Sequence, residues 1–147
     1  MPKVTVNGTE IAYELSGSQQ NPVLLLIHGL ASPLTAWPES LVEHLLAGGF
    51  RVLRFDNRDV GLSTWFDDHP RPNPALLWLK SALSIRPKAA YRLCDMAEDA
   101  AGVLDSLGID SAHIVGVSMG GMIAQRLAIE HPERVRSLCS IMSSTRP

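Results

Sequence analysis

Apolar positions along this chain change period several times, and each change predicts an element. Residues 3–6 and 10–15 alternate polar and apolar side chains around Asn7-Gly8, the pattern of a two-stranded hairpin. Val23-Leu24-Leu25-Leu26-Ile27 is apolar throughout, as a strand buried on both faces of a parallel sheet should be. Over residues 37–47 the period lengthens to that of a helix, with Leu41, Leu45 and Leu46 on one face and Gly48-Gly49 as its stop. Residues 51–55 predict another strand. Residues 65–90 hold Pro70, Pro72, Pro74 and Pro87 and predict an irregular excursion, with one short helix around Leu76 to Leu83. Leu93, Met96, Ala100, Val103, Leu104 and Leu107 then recur at helical spacing over residues 91–107, ended by Gly108. A strand over 112–117, a helix over 120–130 closed by His131-Pro132, and a last apolar strand over 135–142 complete the series.

A hairpin followed by strands alternating with helices predicts an α/β fold: one domain over residues 1–147, a mostly parallel sheet, helices on both faces and right-handed crossovers. In such sheets, sites lie at the carboxyl ends of the strands. His28, Asp56 and Ser118 each stand at such an end.

The stretch Gly116-Val117-Ser118-Met119-Gly120 joins the predicted strand at 112–117 directly to a helix. That context gives a G-x-S-x-G match its meaning: a sharp strand-to-helix turn holds the serine hydroxyl clear of the sheet. Gly116 and Gly120 lack the Cβ atoms that would collide where strand and helix pass closely. The helix start directs N–H groups and the positive end of its dipole toward the serine. Ser118 therefore reads as a catalytic nucleophile.

Three stretches, Leu26-Ile27-His28-Gly29, Asp56-Asn57-Arg58-Asp59-Val60-Gly61-Leu62-Ser63 and Gly116-Val117-Ser118-Met119-Gly120-Gly121, together resemble the α/β-hydrolase superfamily. The match is most similar to its esterase and cofactor-free haloperoxidase-like branch, the aclacinomycin methylesterase type, and runs from Lys3 onward. The resemblance implies an oxyanion hole made by the backbone N–H groups of Leu30 and Met119, and an acyl-enzyme formed by Ser118 on an ester-like small molecule. It also implies that His28 braces the oxyanion loop while Asp56 and Arg58, read as an ion pair, tie down their turn. The family's second stretch usually reads D-x-R-G-x-G-x-S. Here Asp59 replaces the first glycine, and an aspartate tolerates positive φ better than most residues.

In that family an acid and a histidine follow the nucleophile on later strands. Here the chain ends about one strand beyond it, so the C-terminal half of the domain is expected to be absent. His131 lies thirteen residues along the helix from Ser118, about 20 Å at 1.5 Å per residue, which is beyond the reach of a base. Ser143, Ser144 and Thr145 occupy the region where some relatives place the acid. Three readings follow. The first is the nucleophile-bearing half of a serine hydrolase, completed by a second chain or a homodimer through the 135–142 edge. The second is a non-catalytic binding or interaction module of the same fold. The third is a small esterase in which His28 acts as base with Asp56 behind it. His44 and His113 read as surface or packing residues, and His69 is an unselected candidate over the site. Trp65, Phe66, Leu76, Leu77, Trp78 and Leu79 read as packing, or as an apolar substrate pocket.

Composition narrows the alternatives. The 147 residues are 46% apolar and 19% charged, with a net charge of −2, which gives no electrostatic case for nucleic acid or an anionic membrane. No apolar run reaches the length of a membrane span and no signal peptide is evident, so the expectation is a soluble cytoplasmic protein. Cys94 and Cys139 lack metal-ligand spacing and read as buried small hydrophobes. No metal site and no cofactor fingerprint is expected. Serine at position 118 disfavours the epoxide hydrolases and haloalkane dehalogenases of this fold. Ester, thioester, lactone, C–C and perhydrolysis chemistry all stay open.

Overall fold

Alternating side chains and the Asn7-Gly8 turn, with φ of 49° and 70°, build the predicted hairpin from β1 (Lys3–Val6) and β2 (Thr9–Ser16). The protein is described by a computed structural model covering residues 1–66 and 90–145. The helix expected within 76–83, and with it His69 and Leu76 to Leu79, lies outside those residues.

β2 pairs antiparallel with β4 (Arg51–Phe55), and β4 lies parallel to β3 (Val23–Ile27). β5 (Ala112–Val117) and β6 (Val135–Ile141) add parallel strands on the other side of β3, giving the order β1-β2-β4-β3-β5-β6. β3 is central and all five of its residues are buried, which explains its unbroken apolar run. Leu25 pairs with Leu53 on one side and Ile114 on the other, and this register brings the ends of β3, β4 and β5 to one edge.

Helices cover both faces. Leu25, Ile27, Leu53, Phe55 and Ile114 point one way, into a core closed by α2 (Leu93–Ser106) and α3 (Met119–Glu130). Leu24, Leu26 and Val52 point the other way, against Trp37 and α1 (Glu39–Ala47). The buried stripe of α1 runs through Val42 with Leu45 and Leu46 at its margin. Leu41, expected on that face, is exposed, because positions 42, 45 and 46 form the i, i+3, i+4 set.

The outer strand β6 differs from the rest. Its residues are exposed on both faces apart from the half-buried Val135, and its outer edge has no partner among the described residues. Cys139 is accordingly exposed and Cys94 half-buried. Both are free thiols, and the expectation that they are buried does not hold, since one lies on an uncovered strand and the other in the first turn of α2. No helix among the described residues is long and apolar enough to cross a membrane.

Candidate active site

β5 ends at Val117 and α3 begins at Met119, leaving Ser118 alone to turn the chain. It does so at φ 55° and ψ −121°, a left-handed conformation that costs a residue with a Cβ on the order of 1–3 kcal/mol. The surroundings hold it there. Its N–H donates to the Ile141 carbonyl at 2.9 Å, and its own carbonyl accepts the N–H groups of Gly121 and Met122 at 3.0 and 3.3 Å. The glycines on either side are required by contact. A Cβ at Gly116 would stand 2.3 Å from the Gly120 carbonyl oxygen, and one at Gly120 would stand 2.1 Å from that of Ile27. The Ser118 side chain is exposed and does not cap its helix.

Facing it is the backbone that follows β3. A Cβ at Gly29 would lie 3.2 Å from Ser118 Cβ and 3.7 Å from its Oγ, so this loop adjoins the hydroxyl. The Gly29 N–H donates to Nδ1 of His28 at 2.8 Å, and the His28 ring packs against Trp37 with centroids 4.9 Å apart. An accepting Nδ1 leaves the proton of a neutral imidazole on Nε2. Burial lowers the pKa of His28, in keeping with that neutral form. The N–H groups of Leu30 and Met119 donate no hydrogen bond among the described residues, and Leu30 is 75% exposed.

The Asp56-to-Ser63 turn fixes this loop from beneath. Asp56 is buried, and its Oδ1 and Oδ2 accept the N–H groups of Leu34 at 2.6 Å and Leu62 at 2.9 Å. Gly61 is obligatory here, because a Cβ would fall 2.1 Å from Asp56 Oδ2. Asn57 Nδ2 donates to the His28 carbonyl at 3.2 Å. Ser63 Oγ donates to the Asp56 carbonyl and accepts the Ala12 N–H, tying the turn to β2. Asp59 holds the positive φ that its glycine position demands, at 60°.

Two sequence expectations change. Arg58 does not pair with Asp56. Its Nε and Nη2 each reach Asp99 on α2 at 2.6 Å, while both Asp56 oxygens are committed to backbone. The proposed Ser118–His28–Asp56 line also lacks its second link: no hydrogen bond joins His28 to Asp56 among the described residues, and Nδ1 of His28 is occupied by Gly29. The other described histidines stand elsewhere. His44 bonds the Ser40 carbonyl, His113 meets Ser137 and Phe50, and His131 pairs with Glu98 at 2.8 Å beyond the far end of α3. Asp99 and Asn57 escaped the sequence reading. Asp99 had left a signal: an acid three residues after Met96 and four before Val103 lies on the apolar stripe of α2, where it needs a partner. Among the described residues, no group of three or more His, Cys, Asp or Glu side chains could hold a metal ion.

This geometry has counterparts. The family model described as alpha/beta hydrolase fold matches residues 22–147. The chain is 35% identical over 122 residues to rhodomycin D methylesterase DauP of Streptomyces sp. (strain C5), covering 83% of this chain and 35% of that protein. It is 34% identical over 140 residues to rhodomycin D methylesterase DnrP of Streptomyces peucetius, covering 94% and 41%. The crystal structure of the enol-lactonase from Burkholderia xenovorans LB400 superposes with a TM-score of 0.77 at 28% identity, over 99% of this chain and 48% of that one. The chain thus spans less than half the length of these relatives.

Proposed function

The chain belongs to the α/β-hydrolase family, and from that premise we propose that it carries the nucleophile and oxyanion site of a serine hydrolase acting on ester-type bonds. The observation that carries this reading is the strained Ser118 backbone, which leaves its hydroxyl exposed beside the loop that follows β3, while the N–H groups of Leu30 and Met119 bond nothing else described. Strain kept at a solvent-facing serine has no structural benefit of its own.

In the proposed reaction Ser118 Oγ attacks the ester carbonyl carbon and passes its proton to a base. The carbonyl π electrons move to oxygen, and the resulting oxyanion is held by the N–H groups of Leu30 and Met119. Collapse expels the alcohol, which takes up the proton, and water then releases the acid from the acyl-enzyme by the same steps. His28 keeps the Leu30 N–H in place through its bond to Gly29 and is not the base. No described histidine bonds Ser118, and the base is proposed to come from polypeptide outside the described residues. The uncovered edge of β6 is where such a segment is proposed to join. Its neighbour in the sheet is β5, and the Ile141 carbonyl already bonds the Ser118 N–H. A second copy paired antiparallel there would carry its own strand ends away from Ser118, so the completing segment runs parallel to β6.

Fluorophosphonate labelling tests the reading, followed by intact mass. The 147-residue chain is labelled alone and after mixing with the C-terminal half of a rhodomycin D methylesterase. Labelling at Ser118 is expected to accelerate by about 10²-fold or more on mixing, the effect of a positioned base, and to vanish in Ser118→Ala. Equal labelling of Ser118→Ala, or no labelling of the mixture, would overturn it.

A further inference from the structure

Asp59 stands where the family pattern has glycine, and its side chain has taken two partners that glycine would leave bare. We propose that Asp59 is a positioning residue whose carboxylate ties residue 66 to residue 91, closing the two ends between which residues 67–89 run. Its Oδ1 accepts the Phe66 N–H at 2.6 Å and its Oδ2 accepts the Tyr91 hydroxyl at 2.7 Å, while its own N–H donates to the Thr64 carbonyl at 2.9 Å. One carboxylate with two outward oxygens therefore holds a backbone group before the stretch and a side chain after it. Both bonds are charge-assisted, the stronger kind.

The ring around this tie is closed by contact. The Phe66 and Tyr91 rings lie 5.6 Å apart, and the Arg58 guanidinium carbon sits 5.4 and 5.1 Å from their centroids. Arg58 is in turn held by Asp99, which also accepts from Asn7 at the β1–β2 turn. The tie is thus fixed to the sheet and to α2 and does not hang from the stretch it closes. Two bonds on one carboxylate offset part of the entropic cost of bringing residues 66 and 91 together. The inference is independent of the chemistry at Ser118.

Tyr91 reports on the tie. Burial first, and then the hydrogen bond and charge of Asp59, push its phenol well above the ordinary range, with Arg58 opposing and Asp99 adding to the rise. Asp95 and Glu98 line the same cleft. Tyrosinate absorbance is followed in an alkaline titration, and Tyr91→Phe identifies the Tyr91 step among the two tyrosines of the chain. In Asp59→Asn and Asp59→Gly of the full chain, the Tyr91 step is expected to move to lower pH and the thermal midpoint to fall by roughly 5 °C. Tyr91→Phe added to Asp59→Gly should lower the midpoint no further. An Asp59→Asn titration curve that overlays the wild type, or fully additive losses, would overturn the proposal. If Asp59→Gly does not fold, Asp59→Asn, which keeps the shape and one acceptor, carries the test.

Discussion

Ser118 shows how a single residue is held against its own preference. A glycine at φ 55° would carry no Cβ penalty, so Ser118→Gly is expected to raise unfolding stability by about 1 kcal/mol. Urea unfolding beside Ser118→Ala checks this, and a glycine variant no more stable than the alanine one would remove the strain from the account. His28 carries a second prediction. Its folded pKa lies below the ordinary value, so the unfolded chain binds more protons once pH drops under about 6.5. The stability it contributes is complete above that pH and is lost as pH falls toward the folded pKa. A protonated Nδ1 also can no longer accept the Gly29 N–H. Wild type should therefore lose more thermal stability between about pH 7.5 and pH 5 than His28→Asn, which does not titrate; equal losses would sink the assignment. The glycines and Ser118 were legible in the sequence because their demands are local. The direction of the His28 ring was not, since it depends on Trp37, nine positions away in sequence but in contact.

At the scale of elements, the Asp56-to-Ser63 turn is the joint of the molecule. It fastens the loop after β3 through Asp56 and Asn57, β2 through Ser63, and α2 through Arg58. The Arg58–Asp99 pair is nearly buried, and burial opposes the arginine charge while Asp99, with Asp95 and Tyr91 adding to it, more than offsets that cost. Asp99→Ala strands that charge and should lower stability by roughly 3–5 kcal/mol, the range for breaking a buried pair from one side. Denaturant unfolding gives the value, and a loss under about 1 kcal/mol would mean the pair is not a principal tie between α2 and the turn. Element identities were readable from periodicity, and boundaries fell within two residues for α1, α2 and α3. The partner of Arg58 was not readable, because a separation of 41 residues leaves no trace in local pattern.

The whole molecule is asymmetric. At one edge of the sheet stands the β1–β2 hairpin, while at the other β6 presents an edge unpaired among the described residues, with Leu138, Ile141 and Met142 exposed and no charge from Ser137 to Met142. Natural edges are blunted by charge, proline or bulges; here Arg136 and the irregularity opposite Ala112/His113 lie at the start of β6 and leave the stretch from Ser137 to Ile141 uncharged. The 147-residue chain is therefore expected to associate through β6, with itself when no complementary segment is present. Sedimentation at tens of micromolar should show this, and Ile141→Lys should shift it toward monomer. A wild-type chain that stays monomeric would exclude the edge as an interface.

Fold class and the sharp strand-to-helix turn at Ser118 followed from the sequence alone, because strand and helix periods, the Asn7-Gly8 turn and the Gly-x-Ser-x-Gly pattern are properties of residues close together in the chain. Tertiary structure alone decided which backbone faces Ser118, that Asp56 serves two N–H groups and no described histidine, that Arg58 belongs to Asp99, and that Asp59 joins Phe66 to Tyr91. Each of these is a contact between distant segments, and the register of the sheet sets the distances between them.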